Sequence, residues 1–320
     1  MRLLITGASG LLGLNLSLAA RNAHTVIGVD RGRLAAPPFE LIQLDLTDRG
    51  AIEKALTDSS PDAVIHCAAI ADVDACEREP GTARRLNTEL PGRIADACAA
   101  KGIAMVHIST DAVFDGTKVG SYEETDQPHP TNVYSETKLA AEAAVLAAHS
   151  RAIVSRVNFY GWSLSGTRSL AEFFVNNLRA GKAVRGFIDV NFCPMLVNDL
   201  ARVLVKMLQA KLHGLFHAVG PESMSKYEFG VRIARQFGFE EGLISAESVE
   251  RAGLTARRAH NLNLSIHKLS AALGAPLPAF STGLREFFTQ YQQGYPQQVR
   301  SYQQVPDETG KSGPKRLKSG

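Results

Sequence analysis

Disulfide chemistry has little to work with in this chain, whose 320 residues include only four cysteines: Cys67, Cys76, Cys98 and Cys193. None belongs to a C-x-x-C pair and none has a histidine partner at metal spacing. They read as free thiols in a reducing, cytoplasmic compartment, and no metal is expected. Long apolar runs are also missing. No stretch approaches the ~18 residues of a membrane helix. Met1 is followed at once by a short strand, so no signal peptide is expected either. Charge of one sign is scarce as well. The formal net charge is +3, and residues 300–320 account for all of it with five basic against two acidic side chains. A neutral folded body has no overall basic footprint, so nucleic acid is not an expected partner.

What the chain does have is a repeating order. Apolar segments at 1–5, 25–29, 41–44, 63–66, 103–108 and 152–157 read as strands separated by helical patterns. Such βαβ units with right-handed crossovers give an α/β fold, a doubly wound parallel sheet. Past residue 162 the pattern changes. A loop at 163–169 rich in Ser, Gly and Thr leads to a helix through about 179, then to irregular sequence up to Pro194. Asn198 and Asp199 read as the cap of a further helix, 215–219 as a strand, and Ser225 as the start of a helix to about 237. Residues 1–162 with about 187–220 therefore read as the sheet domain. About 163–186 and 221–292 read as a smaller, mainly helical lobe interleaved with it, and 293–320 as a disordered tail.

The first strand runs into Gly7, Gly10 and Gly13, and a helix of apolar periodicity follows. Glycines permit a tight turn and close backbone approach to a pyrophosphate, which the helix N-terminus attracts. Gly7, Ser9, Gly10, Leu11 and Leu12 are thus candidate dinucleotide contacts. Asp30 ends the second strand twenty residues past Gly10, where an acid meets a ribose hydroxyl and favours NAD(H). Arg31 and Arg33 follow directly and suit the 2′-phosphate of NADP(H). The cofactor stays open as NAD(P)(H). After the fourth strand, Ala68 and Ala69 are small enough to let backbone run against that cofactor. His66 reads as an ordinary strand-end histidine.

Tyr134 and Lys138 are four apart at the start of an Ala-rich helix, opened by Pro130, Thr131 and Asn132. That spacing puts phenol and ammonium on one face, where the cation is expected to lower the phenol pKa and fit it for proton transfer. Thr110 lies just past the 103–108 strand, at the end of the sheet where such folds place their chemistry.

These segments occur together and in order: Gly7/Gly10/Gly13, Asp45-Leu46-Thr47-Asp48, Ser109-Thr110-Asp111, and Tyr134 to Lys138. The combination resembles the extended short-chain dehydrogenase/reductase family. Asp72-Val73-Asp74 with Glu77 and Pro80, Val113-Phe114-Asp115-Gly116, and Phe192 to Pro194 ahead of Asn198-Asp199-Leu200 are similar to its dTDP-4-dehydrorhamnose reductase branch. The likeness covers roughly residues 1–292 and is strongest before 140.

The resemblance implies a Rossmann-like domain and NAD(P)H-dependent reduction of a 4-keto group on a nucleotide-linked deoxysugar. Thr110, Tyr134 and Lys138 would be catalytic, with Ser109, Tyr134 and Lys138 also touching the cofactor and Asp45 and Leu46 beside its adenine. Asp111, Val113, Phe114 and Asn158 would face the substrate, and Asn87 would support the active-site elements. Arg156, Arg168, Arg185, Arg257 and Arg258 are candidates for a substrate diphosphate clamp, because guanidinium forks suit phosphate oxygens. A homodimer is the family habit. The family's usual Tyr is Ala112 here, and its frequent Thr after the proline is Met195. A dehydratase would be expected to carry Glu at Ala112. An NAD-dependent epimerase and a non-catalytic NADP-binding subunit of another enzyme remain as alternatives.

Overall fold

Strands that are apolar on both faces belong to sheets covered on both sides. Strand β1 (Arg2–Thr6) is of this kind, with Leu3, Leu4 and Ile5 all buried. The computed structural model describes residues 1–251 and 259–303. Within them β1 joins six further strands: β2 (Thr25–Asp30), β3 (Glu40–Gln43), β4 (Ala63–His66), β5 (Ala104–Thr110), β6 (Ile153–Val157) and β7 (Gly214–Ala218). All pairings are parallel and the order is β3–β2–β1–β4–β5–β6–β7. The chain winds one way from β1 to β3 and the other way from β4 to β7. The direction reverses between β1 and β4, which opens a crevice at their carboxyl ends.

The main helices are α1 (Leu11–Ala20), α2 (Ala51–Ser59), α3 (Leu90–Lys101), α4 (Val133–Ala148), α5 (Leu170–Arg179), α6 (Val197–Gln209), α7 (Lys226–Phe237), α8 (Phe280–Gln292) and α9 (Tyr295–Ser301). On one face of the sheet Leu12 and Leu16 of α1 and Val203 and Leu204 of α6 pack on Ile5, Ile65 and Val106. On the other, Ile52 and Leu56 of α2, Ile94 of α3 and Val145 of α4 meet Leu4, Val64 and Met105. A second core gathers Tyr160, Trp162, Phe174, Phe229, Phe280 and Phe287 among α5, α7 and α8.

The local signals explain most boundaries. Asn132 caps α4 by accepting from the Ser135 backbone at 2.9 Å, with the Ser135 hydroxyl completing a capping box. Ser225 caps α7 in the same manner. Three expectations need correction. The sequence from about Thr82 to Lys101 reads as one helix, and the structure divides this region: Pro80–Arg84, a π-helical turn at Arg85–Glu89, then α3. Asn198 and Asp199 do not cap α6, which begins at Val197. Their side chains are occupied instead by Gln290 at 3.0 Å and Arg202 at 2.6 Å. The tail expected to be disordered from 293 carries α9, because Val299 is fully buried against Leu14, Leu18 and Leu34.

The stretch before Pro194 is also more ordered than its sequence pattern indicates. Val184–Phe187 pairs with Ile244–Glu247, and Asn191–Phe192 lies between Met224–Ser225 and Asn261–Leu262. These small sheets are separate from the seven-stranded one and tie segments after residue 162 to one another.

Candidate active site

The crevice is shaped by backbone touching backbone. A Cβ on Gly13 would lie 2.1 Å from the Gly7 carbonyl oxygen, and one on Gly7 would lie 2.8 Å from the Ala68 backbone, so neither position accepts a side chain. Gly7 also has φ +66°, the left-handed region. Asp30 braces this loop: its carboxylate accepts the Ser9 backbone N–H at 2.9 Å, the Ser9 hydroxyl at 2.8 Å and the Gly32 N–H at 3.1 Å. Helix α1 has no side-chain cap and no acid in its first turn, which leaves its N-terminal N–H groups and dipole facing the crevice.

A cavity of about 240 Å³ results. It contains Gly7, Ser9, Gly10, Asp30, Arg31, Asp45, Leu46, Ala68 and Ala69, all candidates from the sequence. Leu44, Ile70, Leu86 and Leu90 add an apolar wall. An anion cradle beside an apolar slot fits a dinucleotide. Arg168 also lines this cavity, from the loop ahead of α5, where its backbone N–H donates to Glu172 at 3.0 Å. It therefore stands with the glycine loop, apart from Arg156 and Arg185. Leu12 turns its side chain into the core and has only its backbone to offer, while Leu11 packs at the core's edge.

Thr110, at the end of β5, and Tyr134 and Lys138, on α4, do not line this cavity; β5 is the strand next to β4. Lys138 is buried, and its ammonium donates to the Ile108 carbonyl at 2.5 Å and lies 3.4 Å from His107 Nε2. Burial pushes its pKa down to about 8, against the opposing pull of Glu142 and Cys67. The half-buried Tyr134 phenol is pushed up to about 12, chiefly by burial and further by Asp111 and Cys76, while a hydrogen bond with Thr110 acts the other way. The expected lowering of the phenol pKa by Lys138 is thus not what the structure shows. The amine is turned onto the β5 backbone, and desolvation dominates at the phenol.

Asp111 ties the ends of two strands together. Its carboxylate accepts the Thr110 hydroxyl at 3.1 Å and the Asn158 amide at 2.5 Å. Burial raises it to about 6, opposed by those two hydrogen bonds and by Lys226. Asn158 is engaged with Asp111, and Asn87 works alike at the other side. Asn87 grips both backbone groups of Ile70, at 2.8 and 3.0 Å, and reaches the Thr137 hydroxyl at 3.3 Å.

Other sequence candidates land elsewhere. Ser109 donates to Glu142 at 2.5 Å, beneath α4 and away from the crevice. Val113 and Phe114 are fully buried, and Phe114 is stacked on Tyr122 at 4.0 Å, so they form core and not a substrate wall. Arg156 is no clamp: it is buried in a two-pronged pair with Glu142, at 2.9 and 2.7 Å, over the Phe114 ring. Arg185 pairs with Glu247 on the surface. Arg257 and Arg258 lie outside the described residues. Sequence reasoning missed His107 and Glu142, although both sit on elements already suspected, one strand position from Ile108 and one helical turn from Lys138.

The family model described as RmlD substrate binding domain matches residues 1–293. The chain belongs to this family, within the extended short-chain dehydrogenase/reductases. Among this family member's relatives is the "probable low-salt glycan biosynthesis reductase Agl14" of Haloferax volcanii, 31% identical over 284 residues, covering 88% of this chain and 95% of that protein. The methionine adenosyltransferase 2 subunit beta of Mus musculus is 34% identical over 296 residues, covering 89% and 86%. The crystal structure of dTDP-4-dehydrorhamnose reductase from Bacillus anthracis in complex with NADP superposes with a TM-score of 0.82 at 26% identity, covering 90% of this chain and 99% of that one.

Proposed function

We propose that this protein is an NAD(P)H-dependent reductase of a 4-keto group on a nucleotide-linked deoxysugar. The observation that carries the reading is that Thr110 and Tyr134 share a hydrogen bond and Lys138 acts on Cys67, a residue of the β1–β4 crevice, whose glycine loop, uncapped helix N-terminus and apolar wall fit a dinucleotide. A bound reduced nicotinamide supplies the hydride. The protein's own groups do the rest. With its pKa near 12, Tyr134 is fully protonated at neutral pH and delivers a proton to the carbonyl oxygen. Thr110, held between Asp111 and the phenol, orients that oxygen. Lys138 supplies positive charge behind the pair, and Arg31 and Arg168 offer guanidinium groups to the dinucleotide's phosphates.

In this reading residues 163–186, 221–251 and 259–292 hold the sugar nucleotide. The protein works as a cytoplasmic enzyme and allows a homodimer; among the described residues no helix is long and apolar enough to cross a membrane. A second reading, a non-catalytic NADP-binding subunit, draws on the likeness to methionine adenosyltransferase 2 subunit beta.

Incubating the purified protein with NADPH or NADH and a panel of nucleotide-linked 4-keto sugars separates these readings. Loss of reduced-dinucleotide absorbance with one substrate supports the reductase. Conversion without net oxidation indicates an epimerase. Tight NADP binding with no turnover on any panel member favours the subunit.

A further inference from the structure

Thr6, His66 and His107 occupy one register line across β1, β4 and β5. Their side chains face α4, and the line ends on Lys138. The Thr6 hydroxyl and His66 Nδ1 are 2.7 Å apart, and the two imidazoles stack with centroids 5.6 Å apart. His66 is 1% exposed and His107 is not exposed at all. One nitrogen on each ring, His66 Nε2 and His107 Nδ1, has no hydrogen-bond partner among the described residues. Histidines kept only for packing are usually satisfied, because a buried unpaired polar atom costs stability that an apolar residue would avoid. What this ring pair does have is a lysine: the Lys138 ammonium donates toward His107 Nε2, with the Ile108 carbonyl as its second acceptor.

We propose that His107, backed by His66, is a positioning residue that keeps the Lys138 ammonium charged inside the fold and thereby sets the alkaline limit of the enzyme's activity. The inference rests on the reductase reading for its activity readout only. Several titratable or charged groups surround the ammonium. His66 and Cys67 face it from the end of β4, His107 from β5, and Glu142 from its own helix with Arg156 of β6 behind. Both imidazoles are held neutral, with pKa values well below the usual histidine range, by burial first and by Lys138 second. His107 therefore accepts from the ammonium without competing for charge. Glu142 is bonded to Arg156 and Ser109 and acts on the ammonium through its charge, not as a hydrogen-bond acceptor.

The sign follows directly. Burial alone favours the neutral amine, and the acceptors hold the proton on. Removing one makes Lys138 lose its proton at lower pH. His107→Met deletes the acceptor at similar volume, whereas His107→Gln keeps an oxygen that can accept. In full-length protein the alkaline limb of kcat/KM is expected to move down by about one pH unit in His107→Met and to stay in place in His107→Gln. Lysine side-chain NMR, with the Lys138 resonance assigned from Lys138→Met, is expected to show the same shift in the Lys138 titration with no substrate present. That second readout survives even if the reductase reading fails. An unmoved Lys138 titration in folded His107→Met overturns the proposal, as does an equal shift in His107→Gln. Should His107→Met not fold, Thr6→Val, which unties His66, takes its place: a downward shift of the Lys138 titration supports the proposal, and none overturns it.

Discussion

Two cores of this protein are built from opposite materials. Between the sheet and α4 the interior is polar: Thr6, His66, His107, Ser109, Lys138 and Glu142 are each at most 5% exposed. Among α5, α7 and α8 it is aromatic, with Trp162 stacked on Phe287 at 4.0 Å and Tyr160 edge-on to Phe229 at 5.3 Å. Polar groups gain little net stability from burial, and those left unpaired lose it. Aromatic rings gain from the area they bury and from their contacts. The first core holds the residues proposed for the chemistry, and the second holds segments after residue 162 to one another.

Substitutions can break that division or sharpen it. The largest effect is expected at Tyr134→Phe, which should lower kcat by roughly 10²- to 10⁴-fold, the usual span for a lost general acid. Dinucleotide affinity should stay nearly unchanged, and equal loss of both would mean that the phenol is structural. Next comes Phe287→Ala in the aromatic core. The residue is fully buried, so chemical denaturation should show a loss of about 3–5 kcal/mol. Turnover of the remaining folded protein should fall far less than in Tyr134→Phe, and the reverse outcome would merge the two cores functionally. The smallest effect belongs to Arg168→Gln at the crevice rim. Calorimetric titration should show dinucleotide binding about tenfold weaker. If NAD⁺ and NADP⁺ weaken alike, the guanidinium serves the pyrophosphate; if NADP⁺ alone weakens, it serves the 2′-phosphate.

The polar core was half legible in the sequence. The glycine spacing, Asp30 and the strands that follow it are local patterns, and nine of the residues they single out lie together around one cavity. The Tyr134–Lys138 spacing likewise puts both on one helix, with the cap at Asn132 foreseen. What spacing cannot show is which way a long side chain turns. Lys138 goes to the β5 backbone, Arg156 folds inward onto Glu142, and Phe114 packs on Tyr122, all choices made by residues far away in the chain. The π-helical turn was invisible for a similar reason, since its apolar pattern is that of any helix. The aromatic lobe was read as mainly helical because its extra strands are two to four residues long, too short for any period to register.

The wide turn at Arg85–Glu89 has a mechanical side. By swelling the helix it lets one amide, on Asn87, clasp the loop that follows β4 and touch Thr137 on α4 at once. The floor on which a dinucleotide would rest and the rod that carries the phenol are thereby geared to a common pin. Ile70 and Thr137 are held by one side chain, and a displacement of either is expected to pull on the other.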